Sequence, residues 1–154
     1  MPSSFSNLVL TFLIEHKRRF LLIKRIDTEK NFPNYWSFPG GRAQVGETIV
    51  DTIKRKVSGE TGLKIKQRFA FLDTYSFKYS TGLTILLQAP FDKVTPNLTE
   101  VADFAWVKTL DDLQKYRRIP GIDNHLVTAT KALRANKWIE TKEFELTQEK
   151  YLNR

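Results

Sequence analysis

The residues best equipped for chemistry lie between Gly40 and Leu63. A Gly40-Gly41 pair follows a short aromatic stretch. Glu47 comes next, and a helical stretch then carries Arg55, Lys56, Gly59, Glu60 and Gly62-Leu63. Glycines let a backbone come close to a ligand, and the helix that follows aims side chains at it. At about 100° per residue, positions 56, 59 and 60 fall within an arc of roughly 100° beside the apolar stripe. Three carboxylates on such an arc would hold divalent cations against a pyrophosphate. Here the arc carries Glu60 alone, with Lys56 four residues earlier and Gly59 between. Lys56 and Glu60 can meet on one helix face, although Lys before Glu is the weaker order. The ammonium can stand where a cation would sit and contact a phosphate, neutralise Glu60, or simply be a solvated lysine. Gly59 costs a helix about 1 kcal/mol relative to Ala and marks fraying or close ligand approach.

The elements that must position this segment follow from periodicity. Leu8–Glu15 and Arg19–Arg25 are β-prone runs around the basic turn His16-Lys17-Arg18, a hairpin. Asp27–Asn34 is a polar loop, and Tyr35–Phe38 is a short strand running into a Pro39-Gly40-Gly41 turn. From Glu47 to Glu60 the apolar residues Ile49, Val50, Ile53 and Val57 form a helical stripe that Thr61-Gly62 stops. Phe69–Tyr79 and Leu83–Phe91 read as strands around a turn at Ser80-Thr81-Gly82. Ala102–Val107 reads as a strand, and Leu110–Tyr116 and Asp123–Ala135 as helices. Residues 1–7 read as a loose lead-in, and the charged tail 136–154 has no clear periodicity. The expected class is α+β, a mixed sheet flanked by helices in an α/β/α sandwich, with 1–154 as a single domain.

Composition narrows the function classes. With 154 residues, 41% of them apolar, the chain is long enough for one packed core and unlike a disordered or low-complexity chain. It has no Cys, which excludes disulfide scaffolds, thiolate zinc sites and cysteine nucleophiles, and two His, which argues against a histidine metal cage. The net charge of +8 favours anionic partners such as nucleotides, RNA or polyphosphate, though a plain solvated basic surface explains it too. The run Leu8–Ile14 is too short to span a bilayer, so a cytoplasmic location is expected.

The segment from Gly41 to Leu63 resembles the signature of the Nudix hydrolases, G-x5-E-x7-R-E-U-x-E-E-x-G-U with U a bulky aliphatic. Gly41, Glu47, Arg55, Val57, Glu60, Gly62 and Leu63 match without a gap, and Tyr35-Trp36-Ser37-Phe38-Pro39-Gly40 is similar to the usual lead-in. The resemblance implies the Nudix fold from about residue 8 to 135. It also implies cleavage of a nucleoside diphosphate linked to another moiety, a nucleotide sugar or nucleoside polyphosphate, with Mg2+ or Mn2+. Carried over, Gly40 (through its carbonyl) and Glu60 are metal ligands, and Arg55 pairs with Glu47. Lys56 and Gly59 stand where the pattern has glutamates and cannot ligate through their side chains, so a reduced metal site is implied.

A similar thinning marks the GDP-mannose mannosyl hydrolase branch, which keeps the last glutamate and uses one Mg2+. Its Gly-Gly-Arg-x-Gln opening is similar to Gly40-Gly41-Arg42-Ala43-Gln44. Counting back from Trp106, its third ligand falls on Glu100, but its catalytic His falls on Val101 and an Asp of its first strand on Thr11. Its strand Arg falls on Arg25. This kinship is partial. Glu100 and Asp103, before the Trp106 strand, are the better candidates for a general base, ahead of Glu140, Glu143 and Glu145. Arg25, Arg42 and Lys56 are candidate substrate contacts. Tyr75, Phe77 and Tyr79 alternate along one strand face and can stack a base or pack the core. His125, Trp36 and the Lys115–Arg118 cluster read as structural.

Two rival readings compete with the enzyme. One is a catalytically silent nucleotide or RNA binder with Lys56 as a permanent cation. The weaker one is an RNA-binding module whose affinity falls steeply with salt. The expected partner is a small-molecule nucleotide, with RNA second, homodimer formation left open and no membrane.

Overall fold

The computed structural model describes residues 5–152. Its strands are β1 (Phe5–His16), β2 (Arg19–Arg25), β3 (Trp36–Ser37), β4 (Gly40–Gln44), β5 (Arg68–Phe77), β6 (Ser80–Gln88), β7 (Val101–Val107) and β8 (Ile139–Glu140). Its helices are α1 (Ile49–Thr61), α2 (Leu110–Leu113), α3 (Ile122–Ala135) and α4 (Thr141–Leu152). The strands form one mixed sheet in the order β3-β2-β1-β6-β5-β8, with β7 added to β2 and β4 to β1. The expected α+β sandwich of a mixed sheet between helices is the observed architecture.

Alternation along the strands builds both layers. Leu10, Phe12 and Ile14 face one way, into a core with Val50, Ile53 and Val57 of α1. Leu13 and Leu86 face the other way, into a core with Ile122, Leu126 and Ala129 of α3. Each such side chain, fully buried, contributes roughly 1.5–3 kcal/mol. The stripe read from the sequence therefore fixes α1 to the sheet, and with it the direction of every charged residue on the helix.

β1 organises the site. Its outer half pairs antiparallel with β4, through Val9↔Arg42, Leu10↔Gly41 and Thr11↔Gly40. Its inner end pairs with β2, and along its other edge it runs parallel to β6 from Leu8↔Thr81 to Glu15↔Gln88. β2 and β4 thus part company along one edge of β1, and the chain crossing that divergence delivers α1.

Several boundaries differ from those read in the sequence. Gly40-Gly41 is not a turn after a strand but the start of β4. Glycines there signal close approach by neighbours rather than reversal. Glu47 precedes α1, whose N-cap is Thr48 in a capping box with Asp51. The second hairpin turns at Lys78-Tyr79, with Lys78 at φ 46, so Ser80–Gly82 is already strand. Leu110–Tyr116 shortens to α2, again opened by a capping box, Thr109 with Asp112. In the lead-in, residues 5–7 belong to β1, and residues 1–4 lie outside the described residues. In the tail, β8 pairs with β5, and Phe144 of α4 packs on Phe69 at 5.3 Å between ring centroids. Among the described residues no helix is long and apolar enough to cross a membrane.

Candidate functional site

The turn from β4 into α1 is closed by Glu47. Its Oε1 accepts from the backbone N–H of Gln44 at 2.6 Å, from Thr52 Oγ1 at 3.1 Å and from Arg55 Nη2 at 2.9 Å. Its Oε2 accepts from Arg55 Nε at 2.6 Å, making the Arg–carboxylate contact two-pronged. Arg55 Nη2 also donates to the Arg42 carbonyl at 3.0 Å. One ion pair thus ties helix, turn and strand together. The Arg55 guanidinium, with the Gln44 N–H and the Thr52 hydroxyl, holds the Glu47 carboxyl down at about 2. The same contact raises Arg55.

One helix length on, Glu60 is placed very differently. Its side chain is 7% exposed and faces Lys56, whose Nζ lies 3.0 Å from Oε1. The two groups form a largely buried ion pair, and among the described residues no donor other than Lys56 reaches Oε1. Burial pushes the Glu60 carboxyl up, against the opposing pull of Lys56. The nearby Glu100 carboxylate pushes the same way, and Arg25 pulls it down. The loop before β7 is clasped to the end of α1 by Asn97 N–H to the Glu60 carbonyl at 3.1 Å and Thr95 N–H to the Thr61 carbonyl at 2.8 Å. This clasp brings exposed Glu100 into electrostatic range of Glu60 and Arg55.

The structure therefore places Glu47 just before α1, Arg55 in its middle, and Lys56 and Glu60 toward its end, with Glu100 and Arg25 in electrostatic range of Glu60. Arg25 donates from Nε to the Asn31 carbonyl at 3.0 Å and lies 3.4 Å from Glu29. Gly40 and Gly41 lie alongside on β4, and Arg42 is exposed there. Asp103, exposed on β7, accepts from the Phe104 N–H at 2.7 Å. Glu145 of α4 is 3.9 Å from Lys54.

Tyr75 and Phe77 are not brought to this cluster. Tyr75 shares a hydrogen bond with Thr11 at 2.9 Å, on the face opposite Leu10 and Phe12 and hence opposite α1. Its ring stacks on Phe77 at 5.9 Å and 16°, lies 5.5 Å from His125 of α3, and covers Gly82, where a Cβ would meet it at 2.1 Å. Tyr79 leaves this row: it sits in the turn and is 90% exposed. Burial lowers the pKa of His125. In the basic cluster, Arg118 pairs with Asp123 at 2.6 Å and Arg117 lies over the Tyr35 ring at 4.2 Å.

Three contributors escaped the sequence reading. Thr48-x-x-Asp51 is a capping-box pattern visible in the sequence. Asn97, whose Oδ1 accepts from the Thr99 N–H at 3.1 Å, is an Asx-turn residue recognisable beside Pro96. Thr52, a partner of Glu47, has no local signal.

The donors suit a hard cation sparingly. Among the described residues no three His, Cys, Asp or Glu side chains converge on one point. As donor types, one buried carboxylate whose Oε1 has no partner but Lys56, one exposed carboxylate and a backbone carbonyl suit a single cation whose remaining positions are filled by water and phosphate, the usual habit of Mg2+. They do not fit a cluster of two or three.

Comparison with known proteins bears on the family and the fold. The NUDIX domain profile matches residues 6–129. The chain is 34% identical over 117 residues to the nucleoside triphosphatase NudI of Escherichia fergusonii, covering 68% of this chain and 82% of that protein. It is 28% identical over 123 residues to the 8-oxo-dGTP diphosphatase of Buchnera aphidicola subsp. Schizaphis graminum, covering 80% and 91%. An ADP-ribose pyrophosphatase from Streptococcus suis 89-1591 superposes with a TM-score of 0.68 over 86% of this chain and 95% of that one, at 22% identity, a likeness of fold. With a profile match over most of its length and a relative of this similarity, the chain belongs to the Nudix hydrolase family.

Proposed function

We propose that this protein hydrolyses a phosphoanhydride bond in a nucleoside polyphosphate, or in a nucleoside diphosphate linked to another group, with one Mg2+ or Mn2+ held by Glu60, Glu100 and the Gly40 carbonyl. The observation that carries this reading is Glu60, a buried carboxylate whose Oε1 has no partner but Lys56, at the end of a locked loop–helix unit. The names of the relatives, a nucleoside triphosphatase and an 8-oxo-dGTP diphosphatase, support the substrate class.

In this reading Glu47 and Arg55 hold β4 and α1 at a fixed angle, so Gly40 and Glu60 stay in register. Lys56, Arg25 and Arg42 supply positive charge for the phosphates, and positioning with charge stabilisation is most of what phosphoryl chemistry asks of a protein. When bound, the cation neutralises charge on the phosphates and leaving group. Glu100 serves as the remaining donor and as the base for the attacking water. The new bond joins water oxygen to phosphorus, the bridging oxygen–phosphorus bond breaks, and the water proton passes to the Glu100 carboxylate.

The test is Mg2+-dependent hydrolysis of nucleoside triphosphates, ADP-ribose, nucleotide sugars, dinucleoside polyphosphates and capped RNA, with products identified. Cleavage at phosphorus is expected. Release of free sugar beside an intact nucleoside diphosphate would shift the attack to the sugar carbon. A second reading rests on the Lys56–Glu60 ion pair: a nucleotide binder without turnover, which would keep its affinity in EDTA and hydrolyse nothing on the panel.

A further inference from the structure

Lys56 stands where its charge has two uses. Its side chain crosses the backbone of Gly41: a Cβ at that glycine would meet Lys56 Cε at 2.4 Å and Nζ at 3.1 Å. Gly41 is not at positive φ, so its lack of a side chain serves space rather than backbone conformation. The track leads Nζ to within 3.0 Å of Glu60 Oε1. The other cations nearby have further attachments. Arg55 is bonded twice to Glu47 and once to the Arg42 carbonyl, and Arg25 contacts Asn31 and Glu29. Among the described residues Lys56 makes one ion pair, to an oxygen with no other partner, and its side chain is 20% exposed. An ammonium held by a single anion on a flexible stem can leave that anion for another.

We propose that Lys56 is an exchangeable internal cation: it neutralises Glu60 while the site is empty, and moves to the substrate's phosphate when a divalent cation takes Glu60. This rests on the reading of the site as one that handles pyrophosphate. Two consequences of opposite sign follow. Removing the lysine charge strengthens divalent-cation binding to the free protein, because the cation no longer displaces an ammonium. The same change weakens binding of a phosphate ligand presented without metal.

The test uses the full chain, Lys56→Gln, and Lys56→Arg as the conservative control, each first shown to melt cooperatively. Mn2+ binding to the nucleotide-free protein is followed by the electron paramagnetic resonance signal of free Mn2+, and inorganic pyrophosphate binding in EDTA by calorimetry. Lys56→Gln is expected to bind Mn2+ at least tenfold more tightly and pyrophosphate at least fivefold more weakly, while Lys56→Arg keeps the pyrophosphate affinity within about threefold. Unchanged Mn2+ affinity in Lys56→Gln overturns the competition, and unchanged pyrophosphate affinity overturns the transfer. Substrate turnover with neither shift keeps the hydrolytic reading and rejects the exchange. Both shifts without turnover of any substrate keep the exchange and reject the reaction.

Discussion

Glu47 and Glu60 sit at the two ends of one loop–helix unit and are held in opposite ways. Glu47 has donors on both oxygens, and its carboxyl is held down at about 2. Glu60 is more deeply buried, has Lys56 as the one partner of its Oε1, and has its carboxyl pushed up by burial. A fully satisfied carboxylate gives rigidity and has nothing left to offer a ligand. An under-satisfied one costs stability and is left with a lone pair to offer, as expected where function is bought with local strain on the fold. In the proposed reading the contrast gives construction to Glu47 and chemistry to Glu60, although both belong to one motif.

The largest effect expected from breaking this contrast is on rate. Glu60→Gln should lower Mg2+-dependent turnover by about 10³, near 4 kcal/mol of transition-state stabilisation, checked by steady-state kinetics on the best substrate. Its melting temperature at pH 7 should equal or exceed that of the wild type, because a penalised buried charge is gone and Lys56 retains access to water. Glu47→Gln should do the reverse in stability. Loss of the two-pronged contact should cost about 2 kcal/mol, or roughly 4–8 °C in melting temperature by calorimetry.

The two carboxylates should also separate by pH. Glu47 has a folded pKa below its unfolded one, so its stabilisation is present above about pH 4.5 and lost as pH falls toward about 2. Partial exposure trims it to about 1–2 kcal/mol. Glu60 has a folded pKa raised above its unfolded one, so stability is full below about pH 4.5 and is lost as pH rises from there through the raised value. Urea melts from pH 3 to 7 should therefore show the acid-side loss flattened in Glu47→Gln, and the opposite slope removed in Glu60→Gln. The smallest effect is at Gly59, exposed in the last turn of α1, where an added Cβ would meet nothing within 4 Å. Gly59→Ala should raise stability by about 0.5–1 kcal/mol and leave Mn2+ binding unchanged.

The sequence made α1 and its charged residues legible because a 3.6-residue stripe, a gapless motif spacing and a glycine stop agree over one continuous segment. The sandwich was legible for the same reason: β1 alternates Leu10, Phe12 and Ile14 against Leu13, one set for each helical layer. What stayed hidden depends on partners distant in sequence. Gly40-Gly41 looks like a turn until β1 is seen to pair with it. Tyr75 and Phe77 face away from α1 because a register shift between Phe71 and Asp73 and the bond to Thr11 set their side of the sheet. The place of Glu100 depends on Asn97 and Thr95 bonding to the end of α1, which no spacing within the motif announces.

The division of labour is tested most directly by the rise in melting temperature on adding Mg2+ with a methylene-bridged analogue of the best substrate, measured for wild type, Glu47→Gln and Glu60→Gln. A ligand that binds the folded state alone raises its stability by RT ln(1 + L/Kd), with L the free ligand concentration. The account predicts the wild-type rise in Glu47→Gln, from a lower starting temperature, and no Mg2+-dependent rise in Glu60→Gln. A full Mg2+-dependent rise in Glu60→Gln, or its loss in Glu47→Gln alone, would contradict it.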